Sequence, residues 1–576
     1  MDVDSATNIE DVVDVIIIGS GISGMTVAID MLRLNDKRRF LILEKGHRVG
    51  GTWSDNEYPG CCCDVWSHLY SLSFCPNPDW SREYPTQPEI QRYLASVART
   101  YNLEKHIVFE TIVESCVFDL DTGIWTTTIC RVKDGSTGTF RSRFVVSAVG
   151  QLNQPAYPKL SGMNKFQGAI MHSARWDKTM DLRGKTVAVI GNGATAIQIV
   201  PQLTKIAKQV VVFQRSPNYI TPRQDTAISP LRRIVYRYVP WIRRQYRAGL
   251  MDTREAFWQV LVDVGGEAHQ AVKQISAELL HDQLPGDDRI ELREVLTPRY
   301  PPGCKRILIS DDYYPALGES HVILETAAIT QVTETGIQVS SGWNSQQGAH
   351  ELQEHAFDVI VCATGFQATQ FLSPMCIEIK GGDSLPRKWE EGAYAYKGLM
   401  VPGIYNFAMM YGPNTNLGHN SIILMIEAQS AYINRLIHAV CANHGPSQGS
   451  YLRISPREST TRAFNAKLQE SLGRSTLASD QCSSWYKSET GVITTNWSGN
   501  VVEYQCQLST LEWQDYELEG PGAQKLRSQE QVKWARVVEE SRPWVSGLVN
   551  LSSVGLLLGI GSAAVLAIIS KGRLLS

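Results

Sequence analysis

Apolar and polar positions follow two rhythms along this chain. In the first, a short unbroken apolar run is closed by glycines and followed by helical spacing. Val15-Ile16-Ile17-Ile18 leads into Gly19-Ser20-Gly21-Ile22-Ser23-Gly24 and then the stretch Met25 to Leu34. Such a run reads as a parallel strand buried on both faces, and the segment after it as the crossover helix. Phe40-Leu41-Ile42-Leu43 is the next run and ends in Glu44, 20 residues past Gly24. The rhythm returns at Lys185 to Ile190, closed by Gly191-Asn192-Gly193-Ala194-Thr195-Ala196, and Gln209 to Phe213 ends in Gln214-Arg215. The expected fold is α/β, with two Rossmann-like dinucleotide-binding domains. The second rhythm is a tail: Leu551 to Ile569 holds 19 residues without a charge. At about 1.5 Å per residue it spans roughly 28 Å, close to the hydrocarbon thickness of a bilayer. A transmembrane helix is therefore expected at 549–570, with Trp544, Lys571 and Arg573 as interface anchors. A buried C-terminal helix is the alternative.

The glycine loops carry chemistry because they sit between strand and helix. Glycines allow a tight turn and close backbone approach, and the helix N-terminus faces a pyrophosphate. Gly19, Gly21, Ser23 and Gly24 form the first such loop, and Glu44 is placed for a ribose diol. In the second, Arg215 stands where the acid is expected, which favours a 2′-phosphate and hence NADP(H). Two dinucleotide sites in one chain point to a flavin and a nicotinamide working together.

Composition narrows the class. The 576 residues carry 55 Lys+Arg against 58 Asp+Glu, a net charge of −3, so nothing supports nucleic-acid binding. With 43% hydrophobic and 20% charged residues, the chain is neither disordered nor fibrous. Its 12 cysteines form no CxxC pair, so no metal site is expected and reduced thiols are the default. The acidic N-terminus has no basic region and does not read as a signal peptide.

Between the glycine loops lie Phe166, Gly168, His172, Trp176 and Asp177, spaced as FxGxxxHxxxW followed by Pro or Asp. This resembles the fingerprint of type I Baeyer–Villiger monooxygenases; related N-oxygenating enzymes carry Phe or Tyr where Trp176 stands. Gly50 to Gly60 with Cys61-Cys62-Cys63-Asp64, Gly303-Cys304-Lys305-Arg306 and Ala363-Thr364-Gly365-Phe366 also resemble family segments. The resemblance runs from about residue 12 to about residue 430 and implies bound FAD and NADPH. It implies that Thr52, Trp53, Asp64 and Tyr70 line the flavin, with Ser23 and Glu44 near its pyrophosphate and ribose and Val113 near its adenine. For NADP it implies Cys62, Cys63, Gly191, Asn192, Gly193, Ala194, Thr195, Ala196, Ile197, Gln198, Arg215, Ser216 and Lys305. His172 is expected to couple the domains. Cys61 and Cys62 depart from the usual small and basic residues, and Val149 replaces a threonine.

The implied reaction inserts one O2-derived oxygen beside a ketone carbonyl through a C4a-peroxyflavin, giving an ester or lactone. Arg306 is the expected catalytic cation and Asp64 its partner. The segment Met409 to Asn420 resembles members acting on aryl ketones or bulky polyketide and terpenoid intermediates. N- or S-oxygenation or hydroxylation is the alternative. The expected layout is an FAD-binding domain at 1–165 and 350–440, and an NADP-binding domain at 166–349. The latter contains a helical insert, Pro230 to Leu296, read as a solvated lid or domain cover. A C-terminal extension at 441–542 has no assigned role. With the anchor, this places the enzyme in a membrane, the endoplasmic reticulum by expectation, with its catalytic domains on the cytosolic side.

Overall fold

The structure, a computed structural model, describes residues 12–34, 38–344, 349–443, 451–488, 490–529 and 532–533. The first apolar run forms the strand Val13–Ile18, with Val15, Ile16 and Ile17 wholly buried. It pairs in parallel with Phe40–Leu43 on one side and with Thr137–Ser147 on the other, Ile17 standing opposite both Ile42 and Val146. The eight-stranded sheet continues past Phe40–Leu43 to Ile107–Val108. In the other direction it runs through an antiparallel meander, Thr111–Asp119, Ile124–Arg131 and Thr137–Ser147, to Cys376–Ile379, while Phe407–Met409 pairs with Thr137–Ser147. Helix Ile22–Arg33 meets helix Ile422–Ala442, where Ser430 Oγ donates to Asp30 Oδ2 at 2.7 Å.

A second sheet is parallel throughout, in the order Val322–Glu325, Gln209–Phe213, Thr186–Ile190, Val359–Cys362 and Ala169–His172. Val359–Cys362 hydrogen-bonds to Thr186–Ile190 there, in register Val359 with Val187 through Cys362 with Ile190. The chain rejoins the first sheet at Cys376–Ile379.

The described part of the 441–542 extension is built into the body rather than appended to it. Strands Arg453–Pro456 and Tyr516–Glu519 pair antiparallel, and Asn406 Nδ2 donates to Leu452 O at 3.0 Å while its Oδ1 accepts from Ile454 N at 2.9 Å. The insert forms helices Pro230–Tyr238, Pro240–Ala256, Glu267–Gln283 and Ile290–Leu296. It covers the first unit: buried Arg247 donates through Nη1 to the carbonyls of His68, Leu69 and Ser71 at 2.6, 3.2 and 2.9 Å.

The expected fold class is corrected on one point, as is the membrane localisation that followed from it. Among the described residues no helix is long and apolar enough to cross a membrane. The 21-residue helix Ile422–Ala442 carries Glu427, whose carboxylate accepts from Ser73 N and Oγ at 2.6 and 2.7 Å, so it is a core helix. Residues 549–570 lie outside the described residues. The architecture is a two-unit α/β fold.

Candidate active site

The first glycine loop is shaped by its neighbours. Gly19 has φ +102°, and a Cβ there would stand 2.8 Å from the Ala148 carbonyl oxygen, so only glycine fits. Ser23 and Gly24 begin the buried helix beside it. Glu44 is held locally: one oxygen accepts from Ser20 N and Oγ at 2.7 and 2.8 Å, the other from Gly46 N at 2.7 Å. The sequence expectation of a ribose contact did not foresee this prior commitment to the loop. Thr52 is exposed at the start of the turn Thr52–Asp55, and Trp53 Nε1 donates to Tyr70 OH at 3.0 Å. Val113 is buried on the meander strand, opposite Ile129.

In the second loop, a Cβ built on Gly193 meets nothing within 4 Å, which leaves the backbone there open to a ligand. Asn192 Nδ2 donates to Gln214 Oε1 and Ser216 O, both at 2.8 Å, and so braces Gly191 to Gly193 against the next strand's end. Ala194 is exposed and Thr195 precedes the helix Ala196–Leu203 without a side-chain cap, whereas Ala196 and Ile197 are buried, leaving mainly backbone for a ligand. Gln198 reaches away from this loop into the other unit. Its Oε1 accepts from Tyr58 OH at 3.0 Å and Cys62 N at 3.3 Å, and its Nε2 donates to Cys62 O at 3.1 Å.

Lys305 Nζ donates to Ser216 Oγ at 2.5 Å and lies 5.0 Å from the Tyr300 ring centre. Burial, and then the nearby Arg215 charge, hold its ammonium below the usual lysine range. Among the described residues neither cation forms an ion pair with a carboxylate.

Cys62 lies where the units meet. Its Sγ accepts from Arg223 Nη1 at 3.1 Å, yet burial outweighs that cation and pushes the thiol up to about 11. Burial raises the Cys63 thiol well above its ordinary value too. Both are therefore neutral near pH 7. Among the described residues no cluster of His, Cys, Asp and Glu is arranged to hold a metal ion.

Asp64 and Arg306 come from different units and meet with Nε–Oδ2 at 2.6 Å. Burial opposes ionisation of Asp64, but the Arg306 charge and hydrogen bond prevail and hold the carboxyl below the usual range. The guanidinium is likewise pushed up against burial by Asp64. Side-chain exposures of 30 and 25% show that neither group is sealed off.

Further residues complete the site; of these only Tyr411 lies in a segment singled out from the sequence by family resemblance, Met409 to Asn420. Arg254, from the insert, donates through Nη2 to the Asp64 carbonyl at 2.7 Å and lies 4.8 Å from the Trp66 ring centre. Tyr411 and Tyr486 stand within the field of Arg306; burial raises both hydroxyls and the guanidinium partly offsets it. Tyr486 comes from the extension. No spacing in the sequence ties it to Arg306. Reduced thiols were the expectation throughout, but Cys304 and Cys482 are disulfide-bonded, with Cα atoms 6.4 Å apart. Separated by 178 residues, they left no local pattern to read.

The fingerprint sits at the hinge between the sheets. His172 ends strand Ala169–His172; its Nδ1 accepts from Ala174 N at 3.1 Å, and its ring lies 5.2 Å from Tyr157 and 5.9 Å from Phe366. Burial lowers its pKa, so the ring is neutral and structural. Phe166 and Trp176 are half-buried, while Gly168 and Asp177 are exposed, Asp177 accepting from Thr179 N at 2.8 Å.

Two glycine loops of the dinucleotide-binding type, with a half-buried ion pair joining their units, fit a flavin- and nicotinamide-dependent oxidoreductase. Residues 12–251 match the flavin-binding monooxygenase-like family. The chain is 42% identical over 556 residues to the FAD-binding monooxygenase ktnD of Aspergillus niger, covering 96% of this chain and 88% of that one. It is 35% identical over 514 residues to a Baeyer–Villiger monooxygenase of Streptomyces coelicolor, covering 88% and 93%. A solved complex of OTEMO with FAD and NADP matches with a TM-score of 0.74 at 25% identity, covering 88% of this chain and 99% of that one. Oxidized steroid monooxygenase bound to NADP matches with 0.72 at 27%, covering 87% and 97%. The chain belongs to the Baeyer–Villiger monooxygenases of the flavin-binding monooxygenase-like family. It is an NADPH-dependent FAD monooxygenase.

Proposed function

We propose that Asp64 and Arg306 carry the oxygen transfer, on a bulky ring-bearing ketone. The balanced reaction takes ketone, O2, NADPH and a proton to ester or lactone, NADP⁺ and water. Bound FAD, reduced by NADPH, supplies the activated oxygen. The loop of Gly19, Gly21, Ser23 and Gly24 would hold its pyrophosphate, with Thr52, Trp53, Asp64 and Tyr70 about the ring system. Gly191 to Gln198, Arg215, Ser216 and Lys305 would hold NADP, their unmatched cations facing its 2′-phosphate.

Arg306 stays charged at any working pH. It can therefore hold negative charge as it develops on the ketone oxygen, the kind of preorganised stabilisation worth several kcal/mol. Asp64 orients the guanidinium, and Arg254 fixes the Asp64 backbone. Tyr70, Tyr411 and Tyr486 supply aromatic surface near the pair, which supports a ring-bearing substrate. The observation that carries this reading is the 2.6 Å Asp64–Arg306 contact between the two units.

The test is turnover of a ketone panel under ¹⁸O2. Label in an ester is expected, whereas label on nitrogen or sulfur would overturn the reading. Arg306→Ala is expected to keep flavin reduction by NADPH and lose ester formation. Near-normal ester output from that variant would remove Arg306 from the mechanism.

A further inference from the structure

The disulfide joins two parts of the site that nothing else in the sequence connects. Cys304 is fully buried and immediately precedes Lys305 and Arg306. Cys482 is partly exposed and lies on the extension, four residues before Tyr486. Around the bridge pack Tyr219, Val260, Val272 and Tyr300, the last also beneath the Lys305 ammonium. On the extension side, Thr476 Oγ1 donates to the Val260 and Leu261 carbonyls at 3.2 and 3.1 Å, and Lys487 Nζ donates to Ala478 O at 3.0 Å. On the loop side, Gly303 has φ +87°, so the backbone just before Cys304 has no side chain of its own to anchor it.

The two functional side chains of this loop are held unequally. Arg306 has an ion pair with Asp64 at 2.6 Å, whereas Lys305 has a hydroxyl partner, Ser216 Oγ. Slack in the loop therefore falls first on Lys305.

We propose that the Cys304–Cys482 disulfide positions Lys305 for the NADPH phosphate, and that dithiol reduction of the bridge weakens recognition of NADPH over NADH. The inference rests on the reading of Lys305 as a 2′-phosphate ligand. Reduction proceeds by thiolate attack on the more accessible Cys482 sulfur. That breaks the S–S bond and forms a mixed disulfide, which the second thiol of the reductant resolves. Two electrons and two protons pass from the dithiol to the two cysteines, and the reductant leaves as its cyclic disulfide. Cys304 and Cys482 are thus positioning residues, acting through Lys305.

The experiment uses the full chain with FAD bound, before and after dithiothreitol, with differential alkylation to count the thiols released. The KM for NADPH is expected to rise about tenfold on reduction, while that for NADH and both kcat values stay within about threefold. Cys482→Ser is expected to match the reduced enzyme and to ignore dithiothreitol. If that variant does not fold, reduction of the wild-type enzyme decides. Alkylation of both sulfurs without reductant would overturn the proposal, as would an unchanged NADPH-to-NADH KM ratio once the bridge is open. Lys305→Ala separates the two layers. If it leaves that ratio unchanged, the phosphate reading fails and the inference with it; if it shifts the ratio but reduction does not, the tether alone fails.

Discussion

Replacing Asp64 with Asn removes one charge and almost no volume, so it isolates the electrostatic part of the site. At the 2.6 Å separation and an effective dielectric of about 20, the attraction lost is about 6 kcal/mol before solvation is counted. Breaking one side of a buried pair costs about 3–5 kcal/mol net. Exposures of 30 and 25% place this pair at the lower end of that range. The amide oxygen still accepts from Arg306, so part of the orientation survives. A loss of about 2.7 kcal/mol in the oxygen-transfer step corresponds to about 100-fold in rate. On the proposed assignment the pair acts in oxygen transfer, so anaerobic flavin reduction by NADPH is expected within about threefold of wild type. The two steps are read separately, by stopped-flow bleaching of the flavin and by ester formation under O2. Ester formation within threefold of wild type would refute the reasoning, because it would show that the Arg306 orientation needs no carboxylate. Equal losses in both steps would refute it too, since they would mark Asp64 as a general packing residue.

Two further outcomes follow from other parts of the structure. Gln198→Ala removes the three hydrogen bonds joining the second nucleotide loop's helix to Tyr58 and Cys62; KM for NADPH is expected to rise about five- to tenfold at unchanged FAD content, and an unchanged KM would show that the units dock without it. Burial brings the Lys397 ammonium down to about 8, against the pull of Asp515 and Glu512. Its charged form is thus disfavoured in the fold, and stability should rise between about pH 8 and the unfolded lysine range near 10.5, by up to about 3 kcal/mol. Lys397→Met is expected to flatten that rise in thermal-denaturation midpoints compared with wild type, and parallel curves for the two proteins would exclude Lys397 as the source.

What the sequence showed was whatever is encoded locally. Val15 to Ile18 and Lys185 to Ile190 announce themselves because a strand covered on both faces must be apolar throughout, and the glycines after them answer to backbone geometry. Asp64 and Arg306 were legible only by resemblance, since 242 residues separate them and no periodicity links them. The strand Val359–Cys362 was visible as a strand, but which sheet it enters is decided by pairing partners far along the chain. Arg254 and Arg247 sat in an arginine-rich segment read as a solvated lid or domain cover. Their burial comes from the surface they cover, which helical spacing does not reveal. Hydropathy also invited a spanning helix in the tail, which lies outside the described residues; among these, the long apolar helix at 422–442 is explained by burial in the core.

The placement of the ion pair links these features. Asp64 is carried by the loop that also presents Cys62 to Gln198, and Arg306 by the loop tied through Cys304 to the extension. Asp64 and Arg306 come from different units, so their ion pair exists only while the units are docked. Contacts between the units include Gln198 with Tyr58 and Cys62, Arg223 with Cys62, and Arg247 on the carbonyls of residues 68, 69 and 71. A ligand in the second glycine loop lies on the same helix that carries Gln198. Loss of the Gln198 contacts is therefore expected to disturb both the second glycine loop and the loop that carries Asp64.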